Sequence, residues 1–268
     1  MPDLIEDGYC LIHGVLPEDL LIRLRDTTEA LCANTDDGHR RSQGIMMTAM
    51  ADPILAELIT LPAALECLEG LGYDAPTFTD GYLISKPGDS PRLFWHYDWF
   101  AWKDPEARSP EPQQLFLMYY LVDTTPDNGC LRVIPGSHRH HNSLHDLLSN
   151  PHSPELSRID NPENPAFSSR PDEIDVPVKA GDLVIGDARL LHSAHANSSN
   201  VLRTVITLWF QPRFDELPER VQAQMVRKTQ AVPEEWPADA RRAVEALHPV
   251  YTGNDEPYGR DLYRPPEP

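Results

Sequence analysis

The chain has 268 residues and a formal charge of −19, with 42 Asp and Glu against 23 Lys and Arg. That charge repels phosphate backbones, so nucleic acid is not an expected partner, and the length suits one large domain, 1–268. No apolar run is long enough to span a bilayer and no charged-then-apolar leader opens the sequence, so neither membrane nor export is expected and the cytoplasm is the expected compartment.

Four cysteines (Cys10, Cys32, Cys67 and Cys130) are scattered without C-x-x-C spacing, which fits a reducing compartment and small core hydrophobes. Proline outnumbers glycine 27 to 14, which predicts many ordered turns and few long helices. In chain order, residues 9–12 predict a strand closed by Gly14. Leu20, Leu21, Leu24 and Leu31 then recur near helical spacing, behind Pro17, Glu18 and Asp19, which suit a first turn. A second helical region, 52–71, is interrupted by Pro62. These make an N-terminal helical region, 1–76.

From Thr77 the period changes. Short β-branched and aromatic runs at 78–85, 93–99, 115–122, 131–134, 174–178, 183–185 and 202–209 are separated by Pro, Gly, Asn and Asp. Many short strands predict a mainly β core, 77–214, of which a jelly roll is the natural form. Residues 132–141, including His138, Arg139, His140 and His141, read as a solvated loop. The polar stretch 142–172 has no period and is expected to be a lid or a disordered insert. A helical tail over 215–268 is predicted at 219–228 and 238–247.

Candidate chemistry starts at Phe94-Trp95-His96-Tyr97-Asp98-Trp99. Residues two apart in an extended strand share a face, so His96 and Asp98 can address one point. With a second imidazole they would form the two-histidine, one-carboxylate triad of iron(II) oxygenases, which leaves three coordination positions open. H-x-D alone is weak, but three further features match. An apolar strand ends in His192, which would place its imidazole at a barrel mouth. Arg203, eleven positions on, lies in an apolar strand, where a buried guanidinium needs an anion. The far carboxylate of 2-oxoglutarate would supply one as a bidentate pair. The third feature is the turn–strand–turn run Asp127-Asn128-Gly129-Cys130-Leu131-Arg132-Val133-Ile134-Pro135-Gly136-Ser137-His138.

Together with Lys86-Pro87-Gly88 and Gly181-Asp182-Leu183-Val184-Ile185, these motifs resemble the phytanoyl-CoA dioxygenase family over about Asp7 to Phe214, with likeness to its ectoine hydroxylase branch. The resemblance implies a double-stranded β-helix (jelly roll, cupin-like) with flanking helices, iron(II), 2-oxoglutarate as co-substrate and hydroxylation of an unactivated C–H bond. Dioxygen would be consumed, with ascorbate as an activator. It implies co-substrate contacts at Arg203, Met118, Ile84 and Ser193. The chain departs from the family pattern in the run His192-Ser193-Ala194, and in Ile84, where the ectoine branch carries Asn. Trp102, Arg189, His195 and Lys86 are candidate contacts for a small-molecule substrate. For Arg189, pairing with an acidic neighbour is the leading expectation. Two readings of other classes compete: a non-catalytic jelly-roll binding module, and a zinc-dependent hydrolase, which suits the same ligands but lacks a general-base Glu beside them.

Overall fold

The structure is a computed structural model describing residues 2–33, 35, 41–148, 152–259 and 262–264. Residues 1, 34 and 36–40 of the expected N-terminal region, 149–151 of the expected insert, and 260–261 and 265–268 of the expected tail lie outside the described residues. Among the described residues, nine strands are interspersed with seven helices: β1 (Tyr9–Ile12), α1 (Glu18–Cys32), β2 (Ile45–Thr48), α2 (Ile54–Ile59), α3 (Pro62–Gly70), β3 (Thr77–Lys86), β4 (Leu115–Tyr120), β5 (Leu131–Val133), α4 (Ser143–Leu147), α5 (Pro154–Arg158), β6 (Ile174–Val176), β7 (Leu183–Asp187), β8 (His192–Ala194), β9 (Arg203–Gln211), α6 (Glu219–Lys228) and α7 (Ala238–Glu245). The predicted break at Pro62 is real: α2 stops at Ile59 and Pro62 opens α3, where its missing N–H is not needed. Among the described residues no helix is long and apolar enough to cross a membrane.

All pairings are antiparallel. A six-stranded sheet runs β1-β7-β4-β9-β3-β2 and a three-stranded sheet runs β6-β5-β8. The N-terminal region is thus not only helical, because β1 and β2 close both edges of the large sheet. Period-two alternation sorts the large sheet's two faces. Leu115, Leu117, Tyr119, Ile185, Leu208 and Phe210 pack against α1–α3 and α7. Phe116, Met118, Tyr120, Val184 and Val205 point to the other side and meet Leu131, Val133 and Val176 of the small sheet. Two sheets sharing an apolar interior form a jelly roll. Side chains such as Leu117 and Leu208, fully removed from water, each contribute about 1.5–3 kcal/mol. Gly186 lies on the inner face of β7, where a Cβ would overlap the Phe116 ring.

Two expected strands differ. Segment 93–99 forms no ladder. Leu93 N–H donates to Ala194 O (3.0 Å), Trp95 N–H to Ala166 O (2.7 Å), His96 exchanges bonds with His192, and Asp98 and Trp99 N–H both donate to Ala188 O. Its alternate donors serve different partners, so it lies beside β8 joined by a single bridge at His96. Nor does His192 end the apolar strand. β7 stops at Asp187, a turn carries the chain between the sheets, and His192 begins β8.

Segment 142–172 is largely built. It carries α4, α5 and a 3-10 turn (Pro165–Phe167), and contributes Leu144, Leu148, Leu156, Ala166 and Phe167 to an apolar cluster around Trp95, Tyr97 and Trp99. The loop 132–141 is not uniformly solvated either, since Arg132 and His138 are buried.

Candidate metal centre and co-substrate pocket

Two backbone bonds between neighbouring segments bring three donors together. His96 and His192 face each other across their reciprocal backbone pair (3.0 and 2.8 Å), with ring centroids 4.0 Å apart. Asp98 lies between them, Oδ1 3.8 Å from His96 Nε2 and Oδ2 3.8 Å from His192 Nε2. These separations exceed hydrogen-bond contact and surround a space that suits a cation; all three donor atoms lie within 4.8 Å of one another. His96 Nδ1 is 3.1 Å from Phe94 O and His192 Nδ1 is 3.0 Å from Leu190 O. A carbonyl only accepts, so each Nδ1 carries the proton and each Nε2 offers its lone pair inward.

The electrostatics agree. Burial, then the neighbouring imidazoles His192 and His152, push the pKa of His96 well below its ordinary value, and burial also lowers that of His192. Both rings are therefore neutral, as metal ligation would require. For Asp98, burial alone would raise the pKa, but the hydrogen bond from His152 and the three surrounding imidazoles outweigh it and hold the carboxylate ionised. Trp209 Nε1 donates to Asp98 Oδ2 at 3.1 Å, which fixes the carboxylate plane.

The same cavity, about 90 Å³, runs inward from this triad to Arg203. A water needs roughly 10–15 Å³ on this measure, so the space holds several water-sized groups. Arg203, Val205, Thr207 and Trp209 alternate along β9 and line it. Arg203 is 3% exposed, its Nε has no hydrogen-bond partner, and among the described residues no carboxylate pairs with it. Gly129 (φ +89°) lets the backbone pass the guanidinium; a Cβ there would lie 3.4 Å from Arg203 Nε. Met118 and Ile84 line the walls. Ser193 borders the cavity, but its hydroxyl points away, donating to Leu93 O (2.6 Å) and accepting from Arg132 Nη2 (2.8 Å).

None of the four expected substrate contacts lines the outer cavity. Lys86 sits at the deep end, opposite Arg203 in the β3–β9 register, its ammonium donating to Ser42 O (2.7 Å) and Pro91 O. Arg189 is structural: it pairs with Asp187 (2.6 Å) and donates to the carbonyls of Ala107, Ser109 and Glu111. Trp102 faces away, packed on Tyr97, and the cation over its ring is the chain's own Arg264 at 4.7 Å. His195 leaves the pocket for the outer face of the small sheet, where it meets Asp175 at 2.6 Å. A second cavity of about 510 Å³ opens outward from Asp98, His152 and Trp209 to Asp80, Gln224 and Lys228.

Sequence reasoning missed Trp209 and His152. Trp209 shares parity with Arg203 along one strand, so alternation carried that signal. His152, 3.5 Å from Asp98 Oδ1, comes from the insert with no local motif.

Comparison with known proteins identifies the family and the fold. The family model for phytanoyl-CoA dioxygenase (PhyH) matches residues 4–205. The ectoine dioxygenase of Sphingopyxis alaskensis is 24% identical over 208 residues, covering 71% of this chain and 68% of that protein. Phytanoyl-CoA dioxygenase 1 of Oryza sativa subsp. japonica is 28% identical over 162 residues, 59% of this chain and only 52% of that protein, so the match spans about half its length. The crystal structure of SnoN, a non-haem α-ketoglutarate-dependent epimerase from nogalamycin biosynthesis, shares the fold (TM-score 0.58, 20% identity, 78% of this chain and 80% of that one). The chain belongs to the phytanoyl-CoA dioxygenase family, within the iron(II)/2-oxoglutarate-dependent dioxygenases.

Proposed function

We propose that this protein hydroxylates a C–H bond of a small molecule, with His96, Asp98 and His192 holding iron(II) and Arg203 anchoring 2-oxoglutarate. The observation that carries the reading is a buried guanidinium that has no anionic partner among the described residues, at one end of a cavity whose other end is the His-Asp-His cluster. A keto dicarboxylate would satisfy both ends at once, one end held by Arg203 and the other at the metal that His96, Asp98 and His192 would hold. When bound, iron, 2-oxoglutarate and dioxygen supply the oxidation of the C–H bond, with release of succinate and carbon dioxide.

The protein's own part is positional. Phe94 O and Leu190 O set both imidazole tautomers, and Trp209 orients Asp98. Met118, Ile84 and Val205 give the co-substrate a dry wall. The substrate enters through the outer cavity, where Asp80 and Lys228 (3.6 Å apart) offer one charge of each sign. The wall of that outer cavity also carries Met46, Tyr82 and Phe100, so it suits a small molecule with both polar and apolar groups. We place the enzyme in the cytoplasm, as a single 1–268 domain.

The test is succinate release from 2-oxoglutarate with iron and ascorbate, followed by a substrate panel. His96→Ala and Asp98→Ala should each abolish iron-dependent succinate formation. Unchanged turnover in either variant overturns the assignment.

A further inference from the structure

The outer face of the small sheet gathers a second set of ligand-type side chains that the proposed chemistry does not use. In the β5–β6 and β5–β8 registers Arg132 lies opposite Asp175 and Ser193, so Cys130, Asp175 and His195 share the face turned away from the iron pocket. The His195 backbone N–H donates to Cys130 O (3.0 Å), placing those two residues side by side on neighbouring segments. A sulfur, a carboxylate oxygen and an imidazole nitrogen lie within 4.8 Å of one another, the same limit that the His96–Asp98–His192 cluster meets.

We propose that Cys130, Asp175 and His195 form a second, structural site for a zinc-class divalent cation, clipping together the three strands of the small sheet. The donor set of thiolate, imidazole and carboxylate is the one zinc takes, with water as a fourth ligand. Access is open: Asp175 is exposed and His195 half-buried, while Cys130 forms a sealed floor. Each of these strands has three residues, so ladder bonds are few and a cross-strand staple adds much. The metal takes the place of the Asp175–His195 contact, and Cys130 releases its proton to solvent. Burial raises the thiol pKa to about 12, so binding should strengthen with rising pH.

The test is anaerobic cobalt(II) titration of the full chain after chelation. We expect two equivalents, one with an intense near-ultraviolet thiolate-to-cobalt band that the oxygen and nitrogen donors of the first cluster cannot give. Cys130→Ser should remove the band and one equivalent. His195→Gln and Asp175→Asn, on the accessible side, should weaken that equivalent at least tenfold and remove most of the zinc-induced rise in melting temperature. Asp98→Ala should lose the other equivalent and keep the band. Absence of the thiolate band in the wild type at any stoichiometry, or a band that survives both Cys130→Ser and His195→Gln, overturns the site, whereas one equivalent that carries the band overturns the iron assignment alone.

Discussion

Arg189 and Arg203 are both buried guanidiniums, at 1% and 3% exposure, yet their surroundings are opposite. Arg189 follows β7 in the turn between the sheets and is saturated, with Asp187 on two nitrogens and three backbone carbonyls on the rest. Arg203 opens β9 and faces the cavity, where among the described residues no carboxylate pairs with it. A guanidinium stripped of water must be matched by fixed acceptors or by a bound anion. The first arrangement builds the turn that delivers His192; the second leaves a charge open to an incoming anion, the role proposed for it. Partner structure, not residue type or burial, tells the two apart.

Removing each charge breaks the comparison in opposite directions. Arg203→Leu should raise the KM for 2-oxoglutarate a hundredfold or more, because two charge-assisted bonds together contribute about 3–6 kcal/mol. The same change should leave stability unchanged or higher in urea, since it deletes an unmatched buried charge. Arg189→Leu should do the reverse: it strands Asp187 in the core and lowers the unfolding free energy by about 3–5 kcal/mol, with the 2-oxoglutarate KM of the folded fraction nearly unchanged. Succinate kinetics and urea titrations read both. A destabilised Arg203→Leu with normal KM would mean its role is structural.

Ligand linkage sharpens the contrast. With manganese(II) as a redox-quiet metal, 2-oxoglutarate at a hundred times its Kd should stabilise the wild type by about 2.7 kcal/mol. Arg189→Leu should show the same increment and Arg203→Leu almost none, measured by thermal unfolding with and without the keto acid. Smaller again is Trp209→Phe. Losing the indole N–H on Asp98 Oδ2 should weaken metal binding by roughly tenfold while preserving the fold, as losses of hydrogen bonds behind a metal ligand do.

Much of this was legible in the chain, for identifiable reasons. β4, β7 and β9 are alternating apolar runs whose period states which face is buried, and the same alternation places Arg203 in the cavity. α6 starts and stops where its Pro and basic residues indicate. The His96/Asp98 pair converges even though 93–99 is no strand, because its extended backbone keeps the two-residue repeat without a ladder. What failed depends on contacts distant in sequence. β8 is three residues long and is defined by its neighbours β5 and His96. His138 and His145 look solvated among polar residues, but one docks on Ile5 O and the other under Arg264. Trp102 shares nominal parity with His96, and the irregular backbone after Asp98 turns it the other way.

His145 provides the smallest and last test. Burial first, then the charges of Arg264 and His141, lower its pKa to about 3, against about 6.5 in an unfolded chain. Its Nδ1 accepts the Asn142 N–H in the capping box that starts α4, a role only the neutral ring fills. A depressed folded pKa means the unfolded chain binds the extra proton, so stability is complete above about pH 6.5 and declines as pH falls towards 3. The slope from this one group is at most about 1.4 kcal/mol per pH unit. His145→Gln supplies a non-titrating acceptor, so its urea midpoint should fall less than the wild type's between pH 7 and pH 5. Equal slopes in the two proteins would show that the ring's charge state is not coupled to folding, and that α4 is held by its apolar contacts alone.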